Sequence, residues 1–338
     1  MVKLNRILAW VLFQLMFAGW VQGADRVVYE GKEGPGKGKQ IVFLSGDEEY
    51  RSEESLPMLA KILAVRHGFK CTVLFSINPA DGAIDPVTQT NTPGLEALDT
   101  ADLCVMALRF REWPDDKMKH FVDYLNAGKP IIALRTSTHA FAYDRNKKSP
   151  YGKFDWRSKE WPGGFGQEVL GETWVNHHGD HGKQSTRGII NPEYKSDPIL
   201  RGVDDLWAPT DVYGVVHLPA DAKVLVRGQV LTGMQPGDGP LEGPKNNPMM
   251  PIVWTREYKG EQGKTSRILT TTLGAAVDFQ NEGLRRMIVN GCYWAVGLEN
   301  QIPAKSDVSY AGEYEPTWFG FGKYKKGLRP EDFELKSR

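Results

Sequence analysis

The sequence contains few cysteines, and its formal net charge is zero. Only three of its 338 residues are cysteines. Cys71, Cys104 and Cys292 lie in apolar runs, and an odd number leaves at least one unpaired, so we expect buried core thiols and no disulfide framework. Basic and acidic residues number 42 each. This balance argues against a nucleic-acid partner, which would require a basic patch.

Long apolar runs are also scarce, and the first one lies at the N-terminus. Lys3 and Arg6 precede an apolar stretch over residues 7–21, and Val21-Gln22-Gly23 offers the small residues that a signal peptidase reads. The stretch is too short for a membrane span and predicts a signal peptide, residues 1–23, that is removed on export. We expect a periplasmic or secreted protein without a membrane span, of unknown oligomeric state.

Apolar segments of strand length alternate with helix-like segments from residue 39 onward. A continuous apolar run is typical of a strand buried on both faces, and apolar positions three and four residues apart indicate a helix. Their order predicts an α/β fold with a mostly parallel sheet covered by helices. Strands are predicted at 39–46, 70–77, 101–109, 129–137, 211–218, 222–230, 250–258 and 266–274, and helices at 56–65, 115–128 and 282–297.

The two ends of the mature chain differ in composition from this alternating part. Residues 24–38 are rich in glycine and lysine and are predicted to form a flexible leader. Residues 301–338 are rich in tyrosine, phenylalanine, glycine and lysine. We expect this tail to wrap the domain as an extended arm. The α/β domain is therefore assigned to residues 39–300.

Polar and charged side chains follow four of the predicted strands. Ligands of open parallel sheets bind beyond the carboxyl ends of the strands, so these groups are candidates for one site. An arginine there either pairs with a nearby glutamate or anchors a substrate oxygen. Glu53 and Glu54 either complement a helix N-terminus or lie in the strand-end loop, because Pro57 favours a later helix start. The candidates are Glu48, Glu49, Arg109, Glu112, Arg135, Ser137, His139, Asp278 and Gln280.

Three of the seven histidines fall within the segment VNHHGDHGKQ, residues 175–184. Adjacent His177 and His178 point opposite ways in an extended chain, so only one of them joins His181 easily. Two glycines argue against a helix that would align His177 with His181. Three interpretations stay open: a metal site, hydrogen bonding or acid–base work in a pocket, and a structural polar loop.

The ordered motifs of the chain resemble those of the trehalose-utilisation (ThuA-like) family, in particular its exported members from planctomycete-type bacteria. This resemblance implies the flavodoxin-like, three-layer fold of class I glutamine amidotransferases and a link to carbohydrate catabolism. It spans roughly residues 39 to 300. The motifs are VFLSGDEEYRSEE, ALRTSTHAF, EVLGETWVNHHGDHG, DPILRGVDDLWAPTDVYGV and PIVWTREY, followed by LTTTLG and LRRMIVNGCYWAVGLE.

Two departures from the family pattern bear on chemistry. Amidotransferases carry a cysteine nucleophile at the turn that holds Arg135 here, so glutaminase chemistry is set aside. Many ThuA-like proteins also have a histidine at this turn and a Gly-His-Asp where this chain reads Gly274-Ala275-Ala276. A site that uses those histidines must be altered or lost in this chain. The segment 175–184 does match a histidine-bearing loop of the family.

We therefore expect an exported enzyme that acts on a sugar or an oxidised sugar derivative by hydrolysis, elimination or isomerisation. The histidine loop is expected to face Arg135 across one pocket. A carboxylate and an imidazole can share acid and base roles when their environments separate their pKa values. The proton-transfer candidates are Glu48, Glu49, His178 and His181. Substrate binding is expected from Arg109, Arg135, His177, a stacking Trp161 and the other strand-end groups.

Two alternatives remain at this point. The chain is a non-catalytic carbohydrate-binding or scaffold protein, since a fold alone does not confer activity, or it is a zinc-dependent hydrolase. In the leading interpretation the ligand is a small carbohydrate, and no metal or other cofactor is required.

Overall fold

The computed structural model describes residues 25–335, so the predicted signal peptide, residues 1–23, lies outside the described residues. Ten strands form one sheet in the order β1-β3-β2-β4-β5-β10-β9-β8-β6-β7. The strands are β1 Arg26–Tyr29, β2 Gln40–Gly46, β3 Lys70–Phe75, β4 Leu103–Leu108, β5 Ile131–Leu134, β6 Thr186–Ile190, β7 Trp207–Ala208, β8 Lys223–Val230, β9 Met250–Lys259 and β10 Thr265–Thr271. The α-helices are α1 Ser52–His67, α2 Asp115–Asn126 and α3 Glu282–Ala295.

The sheet is mixed, and the prediction of a mostly parallel sheet was wrong. Five neighbouring strands, β3-β2-β4-β5-β10, run parallel. The strand β1 and the wing β9-β8-β6-β7 pair antiparallel. Apolar runs alone do not report strand direction, which depends on the connections. Short connections such as the one between β9 and β10 allow antiparallel neighbours, whereas parallel neighbours require a longer crossover.

The helices cover both faces of the parallel part. Ile41 and Phe43 of β2 pack in a core with α1 and α3, whereas Val42 and Leu44 pack in a second core with α2. Successive side chains of a strand point to opposite faces, so a strand covered on both sides must be apolar throughout. This is the pattern from which the strand was predicted. Cys71, Cys104 and Cys292 are free and buried, as expected.

Helix α1 begins earlier than Pro57 suggested. It starts at Ser52, and Glu53 and Glu54 lie in its first turn, so the strand-end-loop alternative for these residues was wrong. Pro57 lies in the second turn, where the missing N–H forfeits only the bond to the carbonyl of Glu53. The helix tolerates this loss.

Two segments differ from the predicted elements. Residues 26–29 of the predicted flexible leader form the edge strand β1, with Val27 and Tyr29 buried and Val28 exposed. The predicted strand 211–218 is irregular apart from a bridge between Tyr213 and His177. There, the carbonyl of Val212 accepts from the backbone of His178 and Gly179, both at 2.9 Å, so the segment pairs with the histidine loop.

The tail runs along the domain as an extended arm. Between residues 302 and 335 it contains no α-helix or strand, only a short 3-10 turn at Pro330–Phe333. It is tied to the domain by hydrogen bonds from the Ile84 amide to the Leu328 carbonyl and from the Tyr29 hydroxyl to the Phe333 carbonyl, both 2.7 Å. Among residues 25–335, no helix has the length and apolar character needed to cross a membrane.

Candidate functional site

The carboxyl ends of β2, β4 and β5 carry three strained residues. Arg51, Phe110 and Arg135 have positive φ angles of 62°, 54° and 42°. This left-handed region is unfavourable for residues with a Cβ, and such strain concentrates at functional sites. The three turns therefore mark this edge of the sheet as the candidate site, in line with the rule for parallel sheets.

Arg135 lies at the base of the site and is fully buried. Its guanidinium carbon is 4.1 Å from the ring centre of Tyr50 and 4.2 Å from that of Tyr213. It donates to Asp211 at 3.0 Å and to the carbonyl of Thr272 at 2.7 Å. The guanidinium is thus held between two rings and engaged with protein acceptors. These contacts place Arg135 in the protein interior and do not support the expectation that it anchors a substrate oxygen.

Asp211 joins this arginine to the histidine loop. One carboxylate oxygen accepts from His177 Nδ1 at 2.7 Å, and the other accepts from His181 Nδ1 at 2.9 Å and from Arg135. Burial raises the pKa of Asp211, but the hydrogen bonds from both histidines and the charge of Arg135 outweigh it and hold the pKa below its ordinary value. The carboxylate is therefore ionised at neutral pH. The predicted proximity of the histidine loop and Arg135 is confirmed.

The ionised carboxylate determines which imidazole nitrogens face outward. A carboxylate only accepts hydrogen bonds, so Nδ1 of both His177 and His181 must carry the proton. In the neutral rings, each Nε2 is then a lone-pair acceptor. About a third of each imidazole side chain is exposed. Asp211 thus orients His177 and His181 so that the basic Nε2 atom of each ring faces outward.

Glu49 faces one of these bases. Its carboxylate oxygen lies 3.5 Å from Nε2 of His181, and the residue is 7% exposed. Burial, reinforced by the charge of Asp47, raises the pKa of Glu49 above its ordinary value, although Arg109, Arg135 and His181 oppose this. A carboxyl group with a raised pKa is suited to hold a proton near neutral pH.

Aromatic side chains frame the imidazoles. Trp174 packs edge-on against His177 with ring centres 4.9 Å apart. Phe319 of the tail lies 5.2 Å from the ring of His181 and 5.6 Å from that of Tyr50. The tail therefore completes the wall of the site.

A family of known proteins matches most of this chain. The family model described as ThuA, trehalose utilisation, matches residues 40–295. The chain belongs to the ThuA family. No curated protein matches the sequence significantly.

The structure of one ThuA-like protein agrees with the fold of this chain, and two further solved structures are similar at lower TM-scores. A ThuA-like protein of Parabacteroides merdae is 16% identical with a TM-score of 0.51, covering 88% of this chain and 99% of that chain. A ThuA-like protein of Bacteroides uniformis is 14% identical with a TM-score of 0.46, covering 79% and 95%. The glutaminase domain of Trypanosoma brucei CTPS is 10% identical with a TM-score of 0.35, covering 80% and 99%.

Within this ThuA-family site, the predicted residues divide into two groups. Glu49, His177 and His181 come together around Asp211. Glu48 lies beside them but is paired with Arg109 and lies 3.6 Å from Arg111. Burial raises the pKa of Glu48, and both arginines oppose this. The ion pair makes Glu48 a partner of Arg109, and its predicted role in proton transfer is not supported by these contacts.

His178 points away from the other two histidines. Its Nε2 lies 2.7 Å from the carbonyl of Lys245. The alternation of an extended chain, which separates adjacent side chains, accounts for this. This contact does not support the predicted catalytic role of His178, and His177 takes the position beside Asp211 and His181.

Several predicted binding residues have structural roles. Glu112 accepts the backbone amides of Asp144 and Arg145 at 3.1 and 2.7 Å, and Ser137 donates to the carbonyl of Met106 at 3.0 Å. These buried hydrogen bonds fix the loops that follow β4 and β5. Neither side chain contacts the imidazoles, and these hydrogen bonds do not support the predicted binding roles of Glu112 and Ser137.

Asp278 also has a structural role: it is buried and accepts the amides of Gly274 and Ala275 at 2.9 and 3.0 Å. Gln280 is exposed, and its carbonyl accepts from Arg285. Both residues hold the turn after β10. These contacts do not support the prediction that Asp278 and Gln280 bind substrate.

His139 and Trp161 do not reach the site surface. His139 is buried with its Nδ1 3.1 Å from the Thr138 hydroxyl, and burial, followed by the charges of Arg109 and Arg135, lowers its pKa well below the ordinary value. It packs behind Trp174, with ring centres 5.3 Å apart. Trp161 packs on Phe154 and under Lys153. These contacts do not support the expected sugar-stacking role of Trp161.

Sequence reasoning missed four residues that build the site. Asp211, Tyr50 and Tyr213 lie in motifs that were recognised, but their side chains were not singled out. Phe319 lies in the tail, some 140 residues beyond the histidine loop in sequence. The sequence positions of Asp211, Tyr50 and Tyr213 do not form a spacing pattern that is typical of a functional site. The available signal for Asp211 was its place in the recognised segment DPILRGVDDLWAPTDVYGV.

The histidine cluster also offers donors for a metal ion. Ligand atoms of His177, His181 and Asp211 lie within 4.8 Å of one another. Two ligands of one tetrahedral zinc ion lie about 3.4 Å apart. The Nδ1 to carboxylate distances of 2.7 and 2.9 Å are shorter and are those of hydrogen bonds. The two imidazoles would be the zinc ligands, with Asp211 orienting them from behind, and Glu49 lies outside the group of ligand atoms within 4.8 Å of one another.

Proposed function

We propose that this ThuA-family protein is an exported enzyme that moves protons on a sugar or an oxidised sugar derivative. The supporting observation is the shared carboxylate of Asp211, which holds His177 and His181 with their Nε2 atoms outward beside Glu49. Family membership supports a role related to carbohydrate utilisation. Export to the periplasm or beyond rests on the predicted signal peptide.

The arrangement suits a base and an acid that act on neighbouring atoms. The neutral imidazole of His181 accepts a proton at Nε2, and the imidazolium that forms is stabilised by Asp211. Glu49, with its raised pKa, supplies a proton to a departing or rearranging oxygen. In a sugar oxidised to a ketone, the carbonyl acidifies the neighbouring C–H. Elimination then requires only these two transfers, since the departing oxygen takes the proton from Glu49 as the double bond forms. Isomerisation uses the same two groups twice, first to form an enediol and then in reverse to protonate the neighbouring carbon.

Hydrolysis with two carboxylates fits the site less well. Glycosidases of the common kinds place one carboxyl group on each side of the scissile bond. Here Glu48 is paired with Arg109, and Asp211 is engaged by two imidazoles and Arg135. Glu49 remains as the carboxyl group that faces the imidazoles. The site therefore favours imidazole-assisted elimination or isomerisation over two-carboxylate hydrolysis.

The test is turnover of trehalose and of the same disaccharide with one ring hydroxyl oxidised to a ketone. We expect His181→Ala and Glu49→Gln each to lower turnover of the oxidised sugar by about 10²–10⁴-fold. His178→Ala is the matched control, because this neighbouring histidine binds the Lys245 carbonyl outside the site. Turnover unchanged by both substitutions would refute the assigned roles. Sugar affinity without any turnover would instead support the non-catalytic alternative.

A zinc-dependent hydrolase is the second candidate function. The 3.5 Å between His181 Nε2 and Glu49 is long for a hydrogen bond and close to the spacing of two zinc ligands. In that case, the zinc ion would activate a water molecule and the two histidines would be its ligands. Metal analysis of protein purified without a His-tag distinguishes this candidate from acid–base catalysis without a metal.

A further inference from the structure

The tail presents exposed aromatic rings beside the imidazoles. Trp318 and Phe321 are 48% and 58% exposed, although large aromatic side chains are usually well buried. Trp318 stacks on Phe319 with ring centres 4.9 Å apart and an angle of 25° between the planes. Phe319 in turn contacts His181. Trp318 is thus linked to the candidate proton-transfer site through Phe319.

The backbone that carries these rings is firmly anchored. Thr317 donates from its amide and its hydroxyl to the two carboxylate oxygens of Glu54, both at 2.7 Å. The Gly320 amide donates to the carbonyl of Glu49 at 2.8 Å, and Arg51 donates to the Gly320 carbonyl. The anchors lie on both sides of Trp318. Its exposed ring is therefore held in place and is not the tip of a loose tail.

Charged groups border the rings on the same edge. The guanidinium of Arg109 lies 4.4 Å from the ring centre of Phe110 and 4.9 Å from that of Phe321, and it pairs with Glu48. The side chains of Arg109 and Glu48 retain 18% and 14% exposure. An exposed aromatic face next to planar charged groups matches a pyranose ring, which offers an apolar C–H face and equatorial hydroxyls.

We infer that Trp318, Phe321 and the Arg109–Glu48 pair form a subsite for a second sugar ring, so that the substrate is a disaccharide or larger glycoside. This inference rests on the proposed function for the location of the first ring. The rings stack on the apolar sugar face, and the ion pair binds hydroxyls. The subsite therefore recognises the part of the substrate that does not react.

Calorimetry in a Glu49→Gln background measures binding without turnover. The ligands are trehalose, its oxidised derivative and glucose. Trp318→Ala is expected to weaken disaccharide binding about tenfold and to leave glucose binding unchanged. Trp161→Ala is the matched control, since this tryptophan packs on Phe154 away from the imidazoles. Thermal melting of each variant verifies that it is folded.

The outcomes separate the subsite from the proposed reaction. Disaccharide binding that is undetectable, or that is equal in the folded Trp318→Ala protein, overturns the subsite. So does light scattering that shows Trp318 and Phe321 to be buried in a stable dimer of this chain, lost in a Trp318→Ala, Phe321→Ala double variant. If disaccharide binding depends on Trp318 but the wild type shows no turnover, the subsite is supported and the proposed enzymatic activity is refuted.

Discussion

Glu53 offers a sharp test of the electrostatics beside the site. It lies in the first turn of α1, 1% exposed, and neither carboxyl oxygen has a hydrogen-bond partner among residues 25–335. Burial raises its pKa from 4.5 to about 8. The folded protein therefore holds this proton at neutral pH, whereas the unfolded chain releases it.

The sign and size of the effect follow from this difference. Between pH 4.5 and 8 the folded state binds one more proton than the unfolded state, so stability decreases as pH rises through this window. Above pH 8 both states are ionised, and the slope from Glu53 disappears. A pKa difference of about 3.5 corresponds to about 5 kcal/mol at most. The neutral Glu53→Gln side chain has no such dependence.

The assay is urea unfolding of the wild type and Glu53→Gln between pH 4.5 and 9. We expect the wild type to lose stability relative to the variant as pH rises to 8, and the difference to level off above it. Glu33→Gln is the control, because this carboxylate is 85% exposed and should follow the wild type. Parallel curves for the wild type and Glu53→Gln would show that Glu53 is ionised in the folded protein and refute the reasoning.

Two further predictions concern the imidazole cluster. Asp211→Asn leaves Arg135 buried without its anionic partner. We therefore expect the free energy of unfolding in urea to fall by about 3–5 kcal/mol and turnover to decrease. Unchanged stability would contradict a buried ion pair between the two residues. Treatment with a chelator is expected to leave turnover of the oxidised sugar intact if catalysis is by acid and base. Loss of turnover that zinc restores would favour the zinc-dependent hydrolase.

The core of the fold was predictable because burial on two faces imposes a local pattern. β2, β4 and β5 are short continuous apolar runs, and each was predicted close to its observed bounds. The antiparallel wing was not predicted as such. An apolar strand such as β9 has the same composition whether it pairs parallel or antiparallel. The path of the connecting chain decides how the strand pairs. Residues 211–218 likewise have a strand-like composition, but they pair with the histidine loop instead.

The site was predictable only in its location. Glu49 was predicted from the polar residues that follow the strands, and the histidine loop was predicted from the family resemblance. The structure brings the two together. The orientation of His177 against His178 was not predictable, because it depends on the carboxylate of Asp211, 34 residues beyond His177. For the same reason the interior contacts of Arg135 were not predictable. Its partners, Tyr50, Asp211, Tyr213 and Thr272, come from distant parts of the chain.

By itself, the sequence determined the buried strands, the helices of the parallel part and the edge of the sheet where polar groups gather, since these follow from short-range patterns of apolar and polar residues. Only the tertiary structure decided which of those groups share a site. Hydrogen bonds and ring contacts act over a few ångströms in space and leave no fixed spacing in the chain. Asp211 and Phe319 both lie beyond His181 in the sequence, one in the irregular segment 211–218 and the other in the tail, and the fold alone brings them together.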